Sequence, residues 1–189
     1  MTGAAQSVLV LGFLLVFVYF TAAGANTFER DDSDVKGATL GQASLLGTGA
    51  IATALLSYGQ PLRAPNGAVA AALLAGSLML YEWARRTIRD RRFHIGWSGD
   101  VPEALCDEGP YAWVRHPVYL SYMLAFLATF AAFPRLATLA VLLLNAALYV
   151  QAARDDERSL AASALGEDYA AYKARTGMFL PRARRTSRA

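Results

Sequence analysis

Little in this chain can ligate a metal or form a cross-link. Among its 189 residues there is one cysteine, Cys106, and two histidines, His94 and His116. A lone cysteine excludes a disulfide framework and a thiolate cluster. Two histidines are too few for a zinc or haem site of the usual kind, so no metal is expected. Charge is scarce as well: Asp, Glu, Lys and Arg make up 17% of the chain, against about a quarter in an ordinary soluble domain. A net charge of +3 would serve nucleic acid only with every basic residue on one face. Nucleic acid is therefore not an expected partner.

What the chain has is apolar length. Hydrophobic residues are 55% of it, and the mean hydropathy is +0.28. Five stretches hold most of them. The first, residues 7–25, has no charged residue. The second, 38–58, is rich in Gly, Ala and Ser, including Gly41, Gly47 and Gly49, as suits close helix contact in lipid. The third, 67–83, follows the turn residues Pro61, Pro65 and Asn66. The last two, 118–132 and 136–153, flank Phe133-Pro134-Arg135. Each is a little short of the roughly 20 residues that cross hydrocarbon upright. They read as a helical hairpin, spanning a thinned region or packed partly among the other helices.

These stretches predict an all-α, polytopic integral membrane protein with about five transmembrane helices and a C-terminal helix after the hairpin. Residues 1–66 hold the first two helices. The third helix, a polar loop, the hairpin and the last helix fill 67–181, and 182–189 form a basic tail. A soluble bundle competes poorly, because residues 8–20 offer water no polar face. A cleaved signal peptide is suggested by the small residues at 21–25, but Met1 to Gln6 contain no Lys or Arg.

Charge distribution gives an orientation. With five segments and the N-terminus outside, sixteen of the 18 basic residues fall on the cytoplasmic side and only Arg63 and Arg135 outside. That is the positive-inside pattern. Removing the first segment would put the arginine-rich loop outside, so the signal-peptide reading fails on parity. Tyr81 and Trp83, just before Arg85-Arg86, suit an interfacial aromatic belt. Arg85, Arg86, Arg89, Arg91 and Arg92 suit anionic headgroups, at about 1 kcal/mol each near the surface. Cys106 reads as an inert small side chain, and His94 has no assigned role. The acidic loop 29–34 is either solvated or a cap on the cytoplasmic face.

The polar residues gather on that face. Pro117 suits the first turn of the fourth segment, which puts Arg115 and His116 among free backbone N–H groups, a place for an anion. The hairpin returns Arg154, Asp155, Asp156 and Glu157 to the same level. Tyr111, Trp113, Tyr119 and Tyr122 supply aromatic surface. Such a site suits a zwitterion with a planar base. The plainer alternative is a set of juxtamembrane anchors and a solvated helix end.

The run Gly109-Pro110-Tyr111-x-x-x-Arg115-His116-Pro117-x-Tyr119 resembles the signature of integral membrane methyltransferases, the isoprenylcysteine carboxyl methyltransferases and phospholipid N-methyltransferases. Asp156-Glu157-Arg158-x-Leu160, then Leu165-Gly166-Glu167-Asp168-Tyr169-x-x-Tyr172 and Phe179-Leu180-Pro181, is similar to the C-terminal pattern of that family. The resemblance spans about residues 76–181. It implies S-adenosylmethionine as cofactor, with His116, Tyr119, Tyr111, Pro117, Asp156 and Glu157 as the expected cofactor-binding residues. Arg115 and Glu157 are the expected catalytic residues. The acidic pair is usually Glu-Glu in the family, and a glycine often stands where Ser121 is found.

The expected reaction is methyl transfer to a lipidic or small amphiphilic acceptor at the inner face of a bacterial plasma membrane. An acceptor carboxylate needs only orientation by Arg115. An amine or thiol must lose a proton, for which Glu157, Asp156, Glu103 and Glu108 are candidates. Two other readings stay open. A nicotinamide-dependent reductase of the sterol-reductase type would carry Asn where Val118 stands. A non-catalytic sensor or partner protein need not have kept both motifs.

Overall fold

The computed structural model describes residues 3–27, 49, 51–52, 55, 61–89 and 105–182. Most of the second apolar stretch, the acidic loop 29–34, Arg91, Arg92, His94, Glu103 and the tail from 183 lie outside the described residues. Among the described residues five helices have defined bounds: α1 (Gly3–Thr27), α2 (Ala64–Arg89), α3 (Pro117–Ala132), α4 (Leu136–Ala161) and α5 (Gly166–Arg175); residues 49, 51–52 and 55 are also helical. A 3-10 turn at Gly109–Ala112 precedes α3. The described residues include no strand, as an all-α class requires.

Helices α1, α2 and α4 are long and apolar enough to cross a membrane, whereas α3 is a shorter apolar helix. At about 1.5 Å rise per residue, the 26 residues of α4 reach roughly 39 Å and the 16 of α3 roughly 24 Å. Hydrocarbon is about 30 Å thick, so the hairpin has one arm that overreaches it and one that falls short.

The core is aromatic. On α1, Phe13, Phe17 and Phe20 are buried, while Val8, Leu11, Leu15 and Val18 form an exposed apolar stripe. Phe17 meets Phe126 at 4.8 Å between ring centroids, and Phe20 meets Tyr81 and Tyr122 at 4.5 and 5.1 Å. Tyr81 was expected in an interfacial belt, but it sits inside this cluster, 1% exposed. The inward face of α2 takes it there, and only Trp83, on the outward face, stays exposed.

The contacts fix the helix directions. Tyr19 donates to Glu82 and Tyr81 to the Phe20 carbonyl, and two turns earlier a Cβ at Gly12 would stand 4.0 Å from Leu74, so α1 and α2 run parallel. Helix α3 runs antiparallel to both, with the Ser77 hydroxyl donating to the Ser121 carbonyl at 2.6 Å. Parallel helices begin at the same end of a bundle. The chain therefore leaves α1 at one end and enters α2 at the other.

The hairpin forms as its residues dictate. Pro117 opens α3, where a missing N–H costs nothing. Pro134 follows the last turn, and Thr138 caps the start of α4 by accepting from the Arg135 N–H at 3.2 Å. Helix α4 outlasts its apolar stretch, continuing past 153 to Ala161. No Gly or Pro interrupts it before Gly166, and Asp155 is bonded to Gln151 at 3.1 Å and to Arg158 along the helix surface. Asp156 and Glu157 are thereby carried on a rigid helix rather than on a loop.

Candidate functional site

The site lies where α4 returns to the start of α3. Glu157 faces inward on α4, its side chain 6% exposed. Its Oε1 accepts from Arg115 Nε at 2.8 Å, and Arg115 Nη2 lies at the same distance. His116 Nε2 is 3.4 Å from that oxygen. The other oxygen, Oε2, accepts from Lys173 Nζ on α5 at 2.7 Å. One carboxylate thus joins residues from three parts of the chain.

The segment before α3 is held in place from behind. Val114 pairs with Gly177 in an isolated parallel bridge. The Arg115 N–H donates to the Gly177 carbonyl at 2.8 Å, and the His116 N–H to the Met178 carbonyl at 3.2 Å. Arg115 also donates through Nη1 to the Thr176 carbonyl. This strap needs glycine at 177, because a Cβ there would lie 1.7 Å from the Leu180 carbonyl oxygen. Gly109 is the second such position. It holds φ +54°, and a Cβ would meet Thr87 Oγ1 at 2.6 Å.

Burial pushes the His116 imidazole below its ordinary pKa, against the pull of Glu157 and aided by the Arg115 and Lys173 charges. The ring is stacked on Tyr119 at 5.6 Å with a 7° interplanar angle. Phe179 stands 5.9 Å away on the same ring. The Tyr119 hydroxyl donates to Asp156 Oδ2 at 2.9 Å. The adjacent carboxylates therefore differ. Glu157 is surrounded by cations, whereas Asp156 is half-buried and, among the described residues, has one phenol as its hydrogen-bond partner.

The sequence-derived residues divide accordingly. Arg115, His116, Pro117, Tyr119, Asp156 and Glu157 meet at one end of the bundle. Tyr111 is beside them but faces the other way. It packs on Ala84 and Ile88 of α2, its carbonyl accepts from Tyr172 at 2.7 Å, and burial raises its phenol pKa. Trp113 is 61% exposed and Tyr122 lies in the core. Arg154, Asp155 and Glu108 point to solvent. Arg115, expected among open N–H groups as an anion site, is already taken by the chain's own Glu157 and Thr176.

Lys173, the Thr176 carbonyl and the strap at 177–178 were not foreseen. The pattern Tyr169-x-x-Tyr172 followed by Phe179 was their only signal. Basic residues gather at this same end: Arg85 and Arg86 on α2, Arg158 on α4, and Lys173, Arg175 and Arg182. Arg63 and Arg135 lie at the opposite ends of the helices they precede.

A cofactor of zwitterionic character fits this donor set. Asp156 retains lone pairs for ammonium or hydroxyl donors, and the half-buried His116 and Phe179 rings could lie against a planar base or a sulfonium. No curated protein and no solved structure matches the chain significantly. The family model described as phospholipid methyltransferase matches residues 66–168, which hold every sequence-derived site residue. That match covers more than half of the chain, and the chain belongs to the phospholipid methyltransferase family of membrane methyltransferases.

Proposed function

We propose that this protein transfers a methyl group from S-adenosylmethionine to a lipidic or small amphiphilic acceptor at the cytoplasmic face of the membrane. The observation that carries the reading is the Asp156–Tyr119 pair set directly beside the Arg115–His116–Glu157–Lys173 cluster, in a chain of this family. S-adenosylmethionine supplies a methyl carbon activated by its sulfonium, so the work left to the protein is positioning and exclusion of water.

Asp156 would hold the ammonium or ribose hydroxyls of the cofactor. His116 and Phe179, with Tyr119 behind them, would hold its planar and cationic parts. Glu157 fixes Arg115 and His116, and through them the field at the mouth of α3. Pro117 sets where that helix starts, and Tyr111 braces the turn from the α2 side. Arg115 acts with its charge already shared with Glu157, so it attracts an acceptor carboxylate without enclosing it.

The membrane setting follows the same physics. Parallel α1 and α2 support the reading of an intervening crossing, and so of five spans with the N-terminus outside. The basic end then faces the cytoplasm of a bacterial cell and its anionic headgroups. The test is transfer of radiolabelled methyl in nanodiscs of phosphatidylethanolamine and phosphatidylglycerol, with thiols and prenylcysteine analogues as further acceptors. Label entering one acceptor class supports the reading. Label in none of them, with the cofactor bound, overturns the acceptor assignment.

A further inference from the structure

Two polar side chains are buried in the apolar part of the bundle, each with an atom that has no hydrogen-bond partner among the described residues. Asn145 and Tyr149 lie one turn apart on the inner face of α4, the face that also carries Thr138, Ala153 and Glu157. Among the described residues, neither Asn145 Oδ1 nor the Tyr149 hydroxyl has a hydrogen-bond partner. Asn145 Nδ2 is spent on its own helix, donating to the Val141 carbonyl at 2.8 Å. An unmet buried polar group is costly, and hydrocarbon offers no water to relieve it. Leu and Phe would fill the same space without that cost. Polar residues that tie membrane helices together do so by bonding across them, and these do not.

Their position says what they face. The Tyr149 ring is 5.8 Å from the Tyr119 ring and 5.4 Å from Tyr122, and Tyr119 is the residue bonded to Asp156. Tyr149 is thus the next layer inward from the candidate site. Asn145 lies a further turn along, about 6 Å deeper. The backbone of Gly49 closes over it: a Cβ there would stand 3.8 Å from Asn145 Nδ2 and 2.4 Å from the Phe126 ring. The pair therefore lines a seam between α3, α4 and residue 49.

No charged residue occurs in α3 or in α4 before Arg154. A charged ligand group at this depth would meet no counter-charge from either arm of the hairpin, so a neutral group fits these two helices best. Oδ1 requires a hydrogen-bond donor, while the phenol can give or accept. A hydroxyl or an amide meets both.

We infer that Asn145 and Tyr149 form the inner wall of the acceptor site and bond a neutral hydroxyl or amide carried by the amphiphile below its reacting end. Counted along α4 from Asp156, that group lies roughly 10–16 Å inward. A site built to bond such a group rejects the analogue that lacks it. The inference takes its acceptor role from the methyltransferase reading, but the binding itself does not depend on that reading.

The test uses full-length protein in nanodiscs of phosphatidylethanolamine and phosphatidylglycerol, with 3-fluorotyrosine placed at position 149 and followed by fluorine NMR. Dodecanol and dodecane are the probes, differing by one hydroxyl. Dodecanol is expected to shift the resonance saturably and dodecane to leave it unmoved. Asn145→Leu should weaken the dodecanol response about tenfold without lowering Tm, which shows that the fold is intact. Equal responses to both probes, or none to dodecanol, would overturn the inference. Cofactor binding on the same samples separates the two readings. A dodecanol response without cofactor binding leaves this pocket standing and removes the methyltransferase. Cofactor binding without the response removes the pocket alone.

Discussion

Arg115 Nε lies 2.8 Å from Glu157 Oε1, although 42 residues separate them in the chain. Both side chains are under 10% exposed, at 8% and 6%. Removing one partner of a buried pair leaves the other charge uncompensated, at about 3–5 kcal/mol. Glu157→Ala is therefore expected to lower Tm by several degrees and to release the strap at 176–178. Lys173, on the same carboxylate, is 51% exposed. Solvent screens it, so Lys173→Met should cost under about 1 kcal/mol. Thermal unfolding of the two variants in one nanodisc preparation checks the order. Equal losses would contradict the assignment of Arg115–Glu157 as the buried pair.

The two carboxylates should separate in function as they do in geometry. Asp156→Asn and Tyr119→Phe are expected to weaken S-adenosylmethionine binding about tenfold to a hundredfold, as loss of a charge-assisted bond does, with little change in Tm. Glu157→Gln is expected to change Tm as well as affinity. Binding isotherms and melting curves on the same samples distinguish these outcomes.

A pH dependence follows from His116. Its folded pKa is held below the unfolded value by burial, with Glu157 opposing and Arg115 and Lys173 assisting. Between those two values the unfolded chain binds more protons than the native one, so stability rises with pH. The contribution is complete above the unfolded value of about 6.5 and is lost as pH falls through the folded value. The His116 contribution to Tm is expected to be level from neutral to mildly alkaline pH and to fall on acidification. His116→Gln should flatten that fall. An unchanged slope in the variant would assign the fall to other groups.

The glycine at 177 supplies a backbone test. A Cβ would stand 1.7 Å from the Leu180 carbonyl oxygen, so Gly177→Ala forces the strap apart. Arg115 and His116 lose the carbonyls that hold their N–H groups. Cofactor affinity should fall although residue 177 presents no side chain to the site. Gly109→Ala, at φ +54°, should cost about 1–2 kcal/mol and act mainly on stability.

Much of this was legible before any coordinates. The uncharged stretches, Pro117 and the tight turn at 133–135 are enough to bring Arg115–His116 level with Asp156–Glu157. The helical class follows from the same stretches. What stayed hidden depends on rotation and on distant contacts. Adjacent helix residues point about 100° apart, so the roll of α4 decides that Glu157 meets the cations and Asp156 meets Tyr119. Lys173 belongs to a short polar helix and has no local mark that sets it apart from Arg175. Asn145 and Tyr149 are diluted by the leucines and alanines around them, and only burial without a partner distinguishes them. Tyr81 next to arginines reads as interfacial until packing turns it inward. Helix α4 outruns its hydrophobic stretch because backbone hydrogen bonding and surface pairs continue after the hydrophobic pattern stops.

The central claim is that the Asp156–Tyr119 pair and the Glu157 cluster form a S-adenosylmethionine site. Isothermal titration calorimetry of the folded protein in nanodiscs tests it most directly. Binding in the micromolar range, about −8 kcal/mol, with at least a tenfold loss in Asp156→Asn, is the expected result. No heat of binding from protein that retains its helical signal and its melting transition would contradict it.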